Sequence, residues 1–209
     1  MSLTLEQLFI DYMYENLGPR EVEKLMAIRP GEIMLRNTMD QDLFEHPHVE
    51  LWHRFLINYI PYRPAQYALI LPCTRVKPYR LSATHLLAEK RLRAHGLESL
   101  VDVYIMSEPM VLVPRCLDIY YPFANYDYSP RELDEYHRMK FVSILKKVIP
   151  NLARAYRLIV SVLPRHHAGI LREALSSTTE ARNKFIVIDY APLPFKSIAR
   201  AVELIANCR

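Results

Sequence analysis

Four short, nearly uninterrupted apolar runs, at residues 67–71, 101–106, 156–163 and 184–189, constrain this chain more than any other feature. A strand wetted on one face alternates apolar and polar residues, whereas a strand covered on both faces reads as continuous apolar sequence. These runs therefore predict a largely parallel sheet with helices on both sides. The segments between them have helical spacing. Ser82 is placed to N-cap a helix that Gly96 stops. Phe141, Ile144, Leu145 and Val148 form one stripe, which Pro150 is expected to end. Residues 166–175 are a shorter candidate, and after Pro194 the last helix carries Ile198, Val202 and Ile205 at i, i+4 and i+7. Strand and helix alternating in this way predict an α/β fold, a three-layer α/β/α sandwich around a four-stranded, mostly parallel sheet with right-handed crossovers.

Residues 1–60 read differently, as helices at 5–16, 19–27 and 49–60. They predict a helical N-terminal extension, joined through Ile60-Pro61-Tyr62-Arg63-Pro64 to a core at 61–209. A chain of 209 residues, 51% of them hydrophobic, suffices for one buried core. No apolar run approaches the roughly 18–20 residues that cross a bilayer, and Glu6, Asp11 and Glu15 interrupt the start where a signal peptide would be apolar. The expectation is a cytoplasmic protein with no membrane partner. Cys73, Cys116 and Cys208 form neither a disulfide framework nor a CxxC pair, so a reducing compartment is expected and no metal site. No glycine-rich phosphate loop is present, and no cofactor is expected. The net charge of +4 is compatible with a polyanionic partner and equally with a solvated basic surface.

Ligands of open α/β sheets bind beyond the carboxyl ends of the strands, which directs attention to the segment after Leu71. Within residues 72–85 it carries a thiol (Cys73), an amine (Lys77), a phenol (Tyr79), a hydroxyl (Ser82) and an imidazole (His85). Each has two readings. Cys73 is a small buried hydrophobe, or a nucleophile whose thiolate Arg75, Lys77 or a helix N-terminus stabilises. Lys77 is a solvated charge, or an amine aimed into a pocket. Ser82 needs no role beyond capping. His85 is a satisfied histidine, or a proton donor or base.

The spacing Pro72-Cys73, three residues, Lys77-Pro78-Tyr79, two residues, Ser82, two residues, His85 matches every fixed position of the core motif of archaeosine synthases. Seven specified residues on the strand, loop and helix they should occupy make a specific match. Ser107-Glu108-Pro109, Leu112-Val113-Pro114-Arg115 and the run from Tyr121 to Asp127 resemble that family's second block. His46-Pro47-His48-Val49-Glu50 resembles its upstream segment, so the resemblance covers roughly residues 46–175.

The resemblance implies a fold like that of uracil-DNA glycosylases and a reaction in which lysine adds to the nitrile of 7-cyano-7-deazaguanine at position 15 of tRNA. A radical-SAM partner then cleaves the adduct. The implied partners are tRNA or a modified guanine nucleotide, free lysine, and a separate RNA-binding or radical-SAM protein. Adding an amine to a nitrile needs a neutral nucleophile and stabilisation of charge on the nitrile nitrogen. On this chemistry Cys73 forms a transient thioimidate or is structural, His85 is the candidate proton donor and Lys77 the electrostatic stabiliser. Tyr79 stacks on the base or hydrogen-bonds to it, and Arg115 and Asp127 offer complementary charges for a zwitterion. Ser82, Ser107 and Tyr126 complete the substrate-binding set. The aromatic residues between Tyr120 and Tyr128 are nucleotide-stacking surfaces or packing. His166 and His167 line the same crevice or sit in solvent.

Archaeosine synthases carry a transglycosylase-like portion ahead of this core and a PUA-type RNA-binding module behind it, and 209 residues leave room for neither. The expectation is therefore a compact synthase, a subunit served by a separate RNA-binding polypeptide, or a paralogue with a changed substrate. The alternative class is a non-catalytic nucleobase- or tRNA-binding accessory protein. Glycosylase activity ranks last, because the water-activating Asp loop and Leu wedge typical of uracil-DNA glycosylases are not evident at the expected places.

Overall fold

A computed structural model describes residues 3–38, 41–190 and 194–208. In chain order the elements are α1 (Leu5–Leu17), α2 (Pro19–Met26), β1 (Leu35–Arg36), α3 (Pro47–Tyr59), β2 (Tyr67–Pro72), α4 (Ala83–Ala94), β3 (Val101–Ser107) and β4 (Val111–Pro114). They continue with β5 (Tyr126–Asp127), α5 (Glu135–Ala155), β6 (Leu158–Leu163), α6 (Arg165–Ser176), α7 (Thr179–Arg182), β7 (Phe185–Asp189) and α8 (Pro194–Ala206).

Side-chain alternation along β2 divides the interior in two. Tyr67, Leu69 and Leu71 enter one apolar cluster, Ala68 and Ile70 the other. Along β6, Leu158, Val160 and Val162 take the first side, and Ile159 and Leu163 the second. Helices α4 and α8 cover the first side through Ala88, Leu92, Ile198 and Val202, whereas α5 and α6 cover the second through Phe141, Leu145, Ala168 and Leu171. Each large apolar side chain so buried contributes about 1.5–3 kcal/mol. The continuous apolar runs of β2 and β6 are thus strands with both faces covered, whereas the run at β7 belongs to an edge strand with Ile186 exposed, and the fold is α/β with a mixed sheet.

Among the described residues the sheet has five strands, in the order β4-β3-β2-β6-β7, rather than the four expected. β2 pairs in parallel with β3 and β6, and β6 with β7, but β4 returns antiparallel to β3, from Tyr104↔Pro114 to Ser107↔Val111. Four residues between Pro109 and Pro114 offer no period to detect. The reversal places buried Val111 at φ 66°, a region β-branched residues rarely occupy.

Pro150 does not end its helix, because α5 runs on to Ala155. Proline in a helix interior costs about 3 kcal/mol, but the stripe continues past it through Ile149 and Leu152, both buried in the second cluster. Ser82 does cap α4, its hydroxyl accepting from the His85 N–H at 3.4 Å, and Gly96 follows the helix at φ 64°.

The helices of residues 1–60 share the second cluster with the sheet. Phe9 of α1 meets Trp52 and Phe55 of α3 and also Phe123, with ring centroids 5.1–5.5 Å apart. β1 pairs with β5, Leu35 opposite Tyr126 and Arg36 opposite Asp127. From β2 the chain builds outward to β3 and β4 on one side, then returns to place β6 on the other. The topological switch therefore lies beside the carboxyl end of β2, where such sheets open a crevice.

Candidate active site at the sheet switch point

Three strand ends converge at this switch point. Pro72 lies opposite Met106, and the Cys73 N–H donates to the Met106 carbonyl at 2.9 Å, which sets Cys73 beside Ser107 and Glu108 at the end of β3. On the other flank, β6 ends at Leu163 and α6 starts with Arg165-His166-His167. The Cys73 thiol, a Glu108 carboxylate oxygen and a His167 ring nitrogen consequently lie within 4.8 Å of one another. His167 Nε2 bonds Glu108 at 2.7 Å, and His166 Nε2 lies 3.7 Å from the same oxygen.

Glu108 is 2% exposed and His167 fully buried. Burial by itself raises a carboxyl pKa, but the hydrogen bond and charge of His167 outweigh it and hold Glu108 below its ordinary value. The half-buried Cys73 thiol is pushed up to about 11, chiefly by burial and then by the Glu108 charge, while a hydrogen bond from Ser107 and the charge of Lys77 act in the opposite direction. It rests as a thiol and needs a base to become a nucleophile.

An aromatic floor adjoins the thiol. Lys77 Nζ sits 4.2 Å from the Tyr126 ring centroid and 5.6 Å from that of Tyr79. Burial lowers the Lys77 pKa, opposed by Cys73 and Asp127. The hydroxyls of Tyr79, Tyr126 and Ser107 bond one another, Tyr79 donating to Ser107 at 3.1 Å. The N-terminal segment supports this floor. A Cβ at Gly31, whose φ is 93°, would stand 3.0 Å from the Lys77 carbonyl, and Asn125 Nδ2 donates to the carbonyls of Arg29 and Glu32 at 2.8 and 2.9 Å.

Helix α3 fixes the turn that carries Glu108. Trp52 Nε1 donates to the Met110 carbonyl and His53 Nε2 to the Pro109 carbonyl, both at 2.8 Å. Burial pushes His53 down to about 4, so it is a neutral imidazole at physiological pH.

His85 is fully buried, with both ring nitrogens engaged. Arg115 can only donate, so its contact at 2.8 Å makes His85 Nδ1 the acceptor, and Nε2 donates to the Pro72 carbonyl at 3.0 Å. Burial, the opposing backbone bond and the Arg115 charge leave the His85 pKa at about 4. Arg115 also reaches Glu89 at 3.4 Å, and with Arg80, His85 and Asp102 it lines a cavity of about 590 Å³ that is separate from the residues around the thiol. Asp127, exposed on β5, is near enough for its charge to act on Lys77.

The structure thus brings Cys73, Lys77, Tyr79, Ser107, Tyr126 and Asp127 to one place, and Ser82, His85 and Arg115 to its flank. Among the other aromatic residues of this segment, Tyr121 and Tyr128 are buried and Tyr120 is half-buried. Glu108 and His167 pair across 59 residues, a partnership that leaves no local pattern in the sequence. Cys73, Glu108 and His167 include donor types that hold transition metals, and Glu108 and His167 bond each other directly.

A family profile described as "Domain of unknown function (DUF5591)" matches residues 49–200. The archaeosine synthase of Methanocaldococcus jannaschii is 27% identical over 129 residues, 60% of this chain and 21% of that protein, so the chain spans about a fifth of this curated relative. The crystal structure of AF0587, a protein of unknown function, superposes with a TM-score of 0.51 at 20% identity over 74% of this chain and 49% of that one, a likeness of fold alone. No helix among the described residues is long and apolar enough to cross a membrane.

Proposed function

The chain belongs to the DUF5591 family, and from that membership and its partial similarity to an archaeosine synthase we propose that it acts in tRNA modification, adding free lysine to the nitrile of 7-cyano-7-deazaguanine in tRNA. The observation that carries this reading is the convergence of Cys73, Lys77 and Tyr79 from one loop with Ser107 and Tyr126 from a second block at the switch-point crevice. A crevice at the carboxyl edge suits a base presented out of its stack, and a fold like that of uracil-DNA glycosylases is part of the proposal.

In this reading Lys77 stabilises negative charge developing on the nitrile nitrogen. Tyr79, Tyr126 and Ser107 form a hydroxyl cluster that orients Lys77 and the base. Asp127 offers a carboxylate to the incoming ammonium group. His85, whose nitrogens are committed to Pro72 and Arg115, positions the end of β2 and acts on the chemistry through it. Residues 61–209 are the catalytic core, and the extension of 1–60 holds its loops.

The test incubates the protein with lysine and tRNA carrying 7-cyano-7-deazaguanine and searches the nucleosides by mass spectrometry for the lysine adduct, with Lys77→Ala as control. Adduct that the substitution abolishes supports the reading. Because the chain covers 21% of its relative, an arm with a supplied RNA-binding partner is included. Tight binding of the tRNA with no adduct in either arm favours the accessory-protein alternative.

A further inference from the structure

We propose that Glu108 is the general base and acid for the Cys73 thiol and that His167 positions it. For its substrate this rests on the nitrile reading above; for its test it does not. A thiol resting protonated in a buried crevice needs a proton acceptor of its own. The motif residues supply none, since both nitrogens of His85 are committed and the Lys77 amine lies over the Tyr126 ring.

Glu108 fits the need. Its carboxylate meets two imidazoles, His167 at 2.7 Å and His166 at 3.7 Å. It is 2% exposed, and its oxygen lies within 4.8 Å of the thiol sulfur. The turn that carries it is pinned from behind by Trp52 and His53. The titratable groups facing it are Cys73 from the end of β2, His166 and His167 from α6, and the Tyr126 and Tyr128 hydroxyls from the β5 segment. A buried carboxylate held ionised by an imidazole at the edge of a sheet is an arrangement suited to proton transfer.

The step balances without an oxidant or reductant. Glu108 takes the thiol proton as sulfur bonds to the nitrile carbon and one carbon–nitrogen π pair moves to nitrogen. The proton then passes from Glu108 to that nitrogen, giving a neutral thioimidate and restoring the carboxylate. A primary amine adds to the same carbon and the carbon–sulfur bond breaks. The departing sulfur recovers a proton that Glu108 takes from the amine, leaving an amidine.

The experiment follows alkylation of Cys73 by iodoacetamide in the full chain as a function of pH, with peptide mass spectrometry separating it from Cys116 and Cys208, which are also free thiols. Two roles for Glu108 predict opposite signs. As a base, its replacement in Glu108→Gln slows alkylation near neutral pH by roughly a hundredfold. As a mere negative charge beside the thiol, its removal makes the thiol more acidic and speeds alkylation, which overturns the proposal. His167→Gln supplies a second readout, expected to move the acid limb of the pH profile upward because the carboxyl loses the partner that holds it ionised; an unmoved limb contradicts the positioning role. One equivalent of zinc in the purified protein, protecting Cys73 until chelated, would also overturn the proposal. A parallel arm with the nitrile-bearing tRNA seeks the thioimidate on Cys73. If alkylation behaves as expected and that adduct never forms, the substrate reading falls while the base assignment stands.

Discussion

Acid should dismantle this site through two histidines before it titrates most carboxylates. His53 and His85 are 5% and 0% exposed, and each rests as a neutral imidazole with a pKa of about 4 against an ordinary 6.5, burial being the main cause in both. The unfolded chain protonates them readily and the folded chain resists, so the unfolded state binds more protons over this interval. Their contribution to stability is fully present above pH 6.5 and is lost as pH falls from 6.5 towards 4. The gap corresponds to about 3.4 kcal/mol per histidine at its limit, of which about 2 kcal/mol is lost by pH 5. The two together should therefore remove about 4 kcal/mol between about pH 7.5 and pH 5, a large share of the 5–15 kcal/mol typical of a domain. Urea unfolding at several pH values measures this directly. His53→Gln keeps an amide donor for the Pro109 carbonyl but cannot titrate, so it should shrink the loss by about 2 kcal/mol. A variant that retains the full wild-type pH dependence refutes the account, as does a wild type equally stable at both ends.

Three further substitutions test the frame around the site. Gly31→Ala forces a side chain to φ 93° and to within 3.0 Å of the Lys77 carbonyl. It should cost about 1–2 kcal/mol in urea unfolding and, by displacing Lys77, should reduce adduct formation by more than that loss of stability explains. Trp52→Phe removes the indole donor to the Met110 carbonyl, which keeps the Leu112 N–H at 2.8 Å; a loss of about 0.5–1.5 kcal/mol for that hydrogen bond is expected in thermal or urea unfolding, with Cys73 alkylation altered because the Glu108 turn loosens. Pro150→Ala restores a helical N–H inside α5 and should raise stability by up to about 3 kcal/mol; an unchanged or lowered melting temperature would show that the surrounding packing already accommodates the ring.

What the sequence disclosed and what it withheld follow from the range of the interactions concerned. The strands β2 and β6 were legible because burial on both faces acts on consecutive residues, β3 and β7 because their apolar runs persist although part of each is exposed or half-buried, and Ser82 was legible because a cap bonds three residues ahead. β4 left no such trace: a strand of four residues ending in Pro114 has no period, and its pairing with β3 is set by a reversal at Val111. Pro150 misled because a local rule yielded to tertiary burial of Ile149 and Leu152.

The chemical residues divide along the same line. Cys73, Lys77, Tyr79 and Ser82 fall within ten positions because one strand end, loop and helix start delivers them. Glu108 and His167 come from the ends of two strands that both pair with β2, so only the sheet order makes them neighbours of Cys73 and of each other. His85 is the reverse case. Its place in the motif suggested a proton donor, yet its two nitrogens join the Pro72 carbonyl to Arg115, tying the end of β2 to the turn after β4. Fixed spacing identifies which residues a site needs, while the partners of each nitrogen and oxygen decide which of them are free to move a proton. By that criterion the acid–base work falls to the Glu108–His167 pair, and His85 belongs to the scaffold that keeps the thiol facing it.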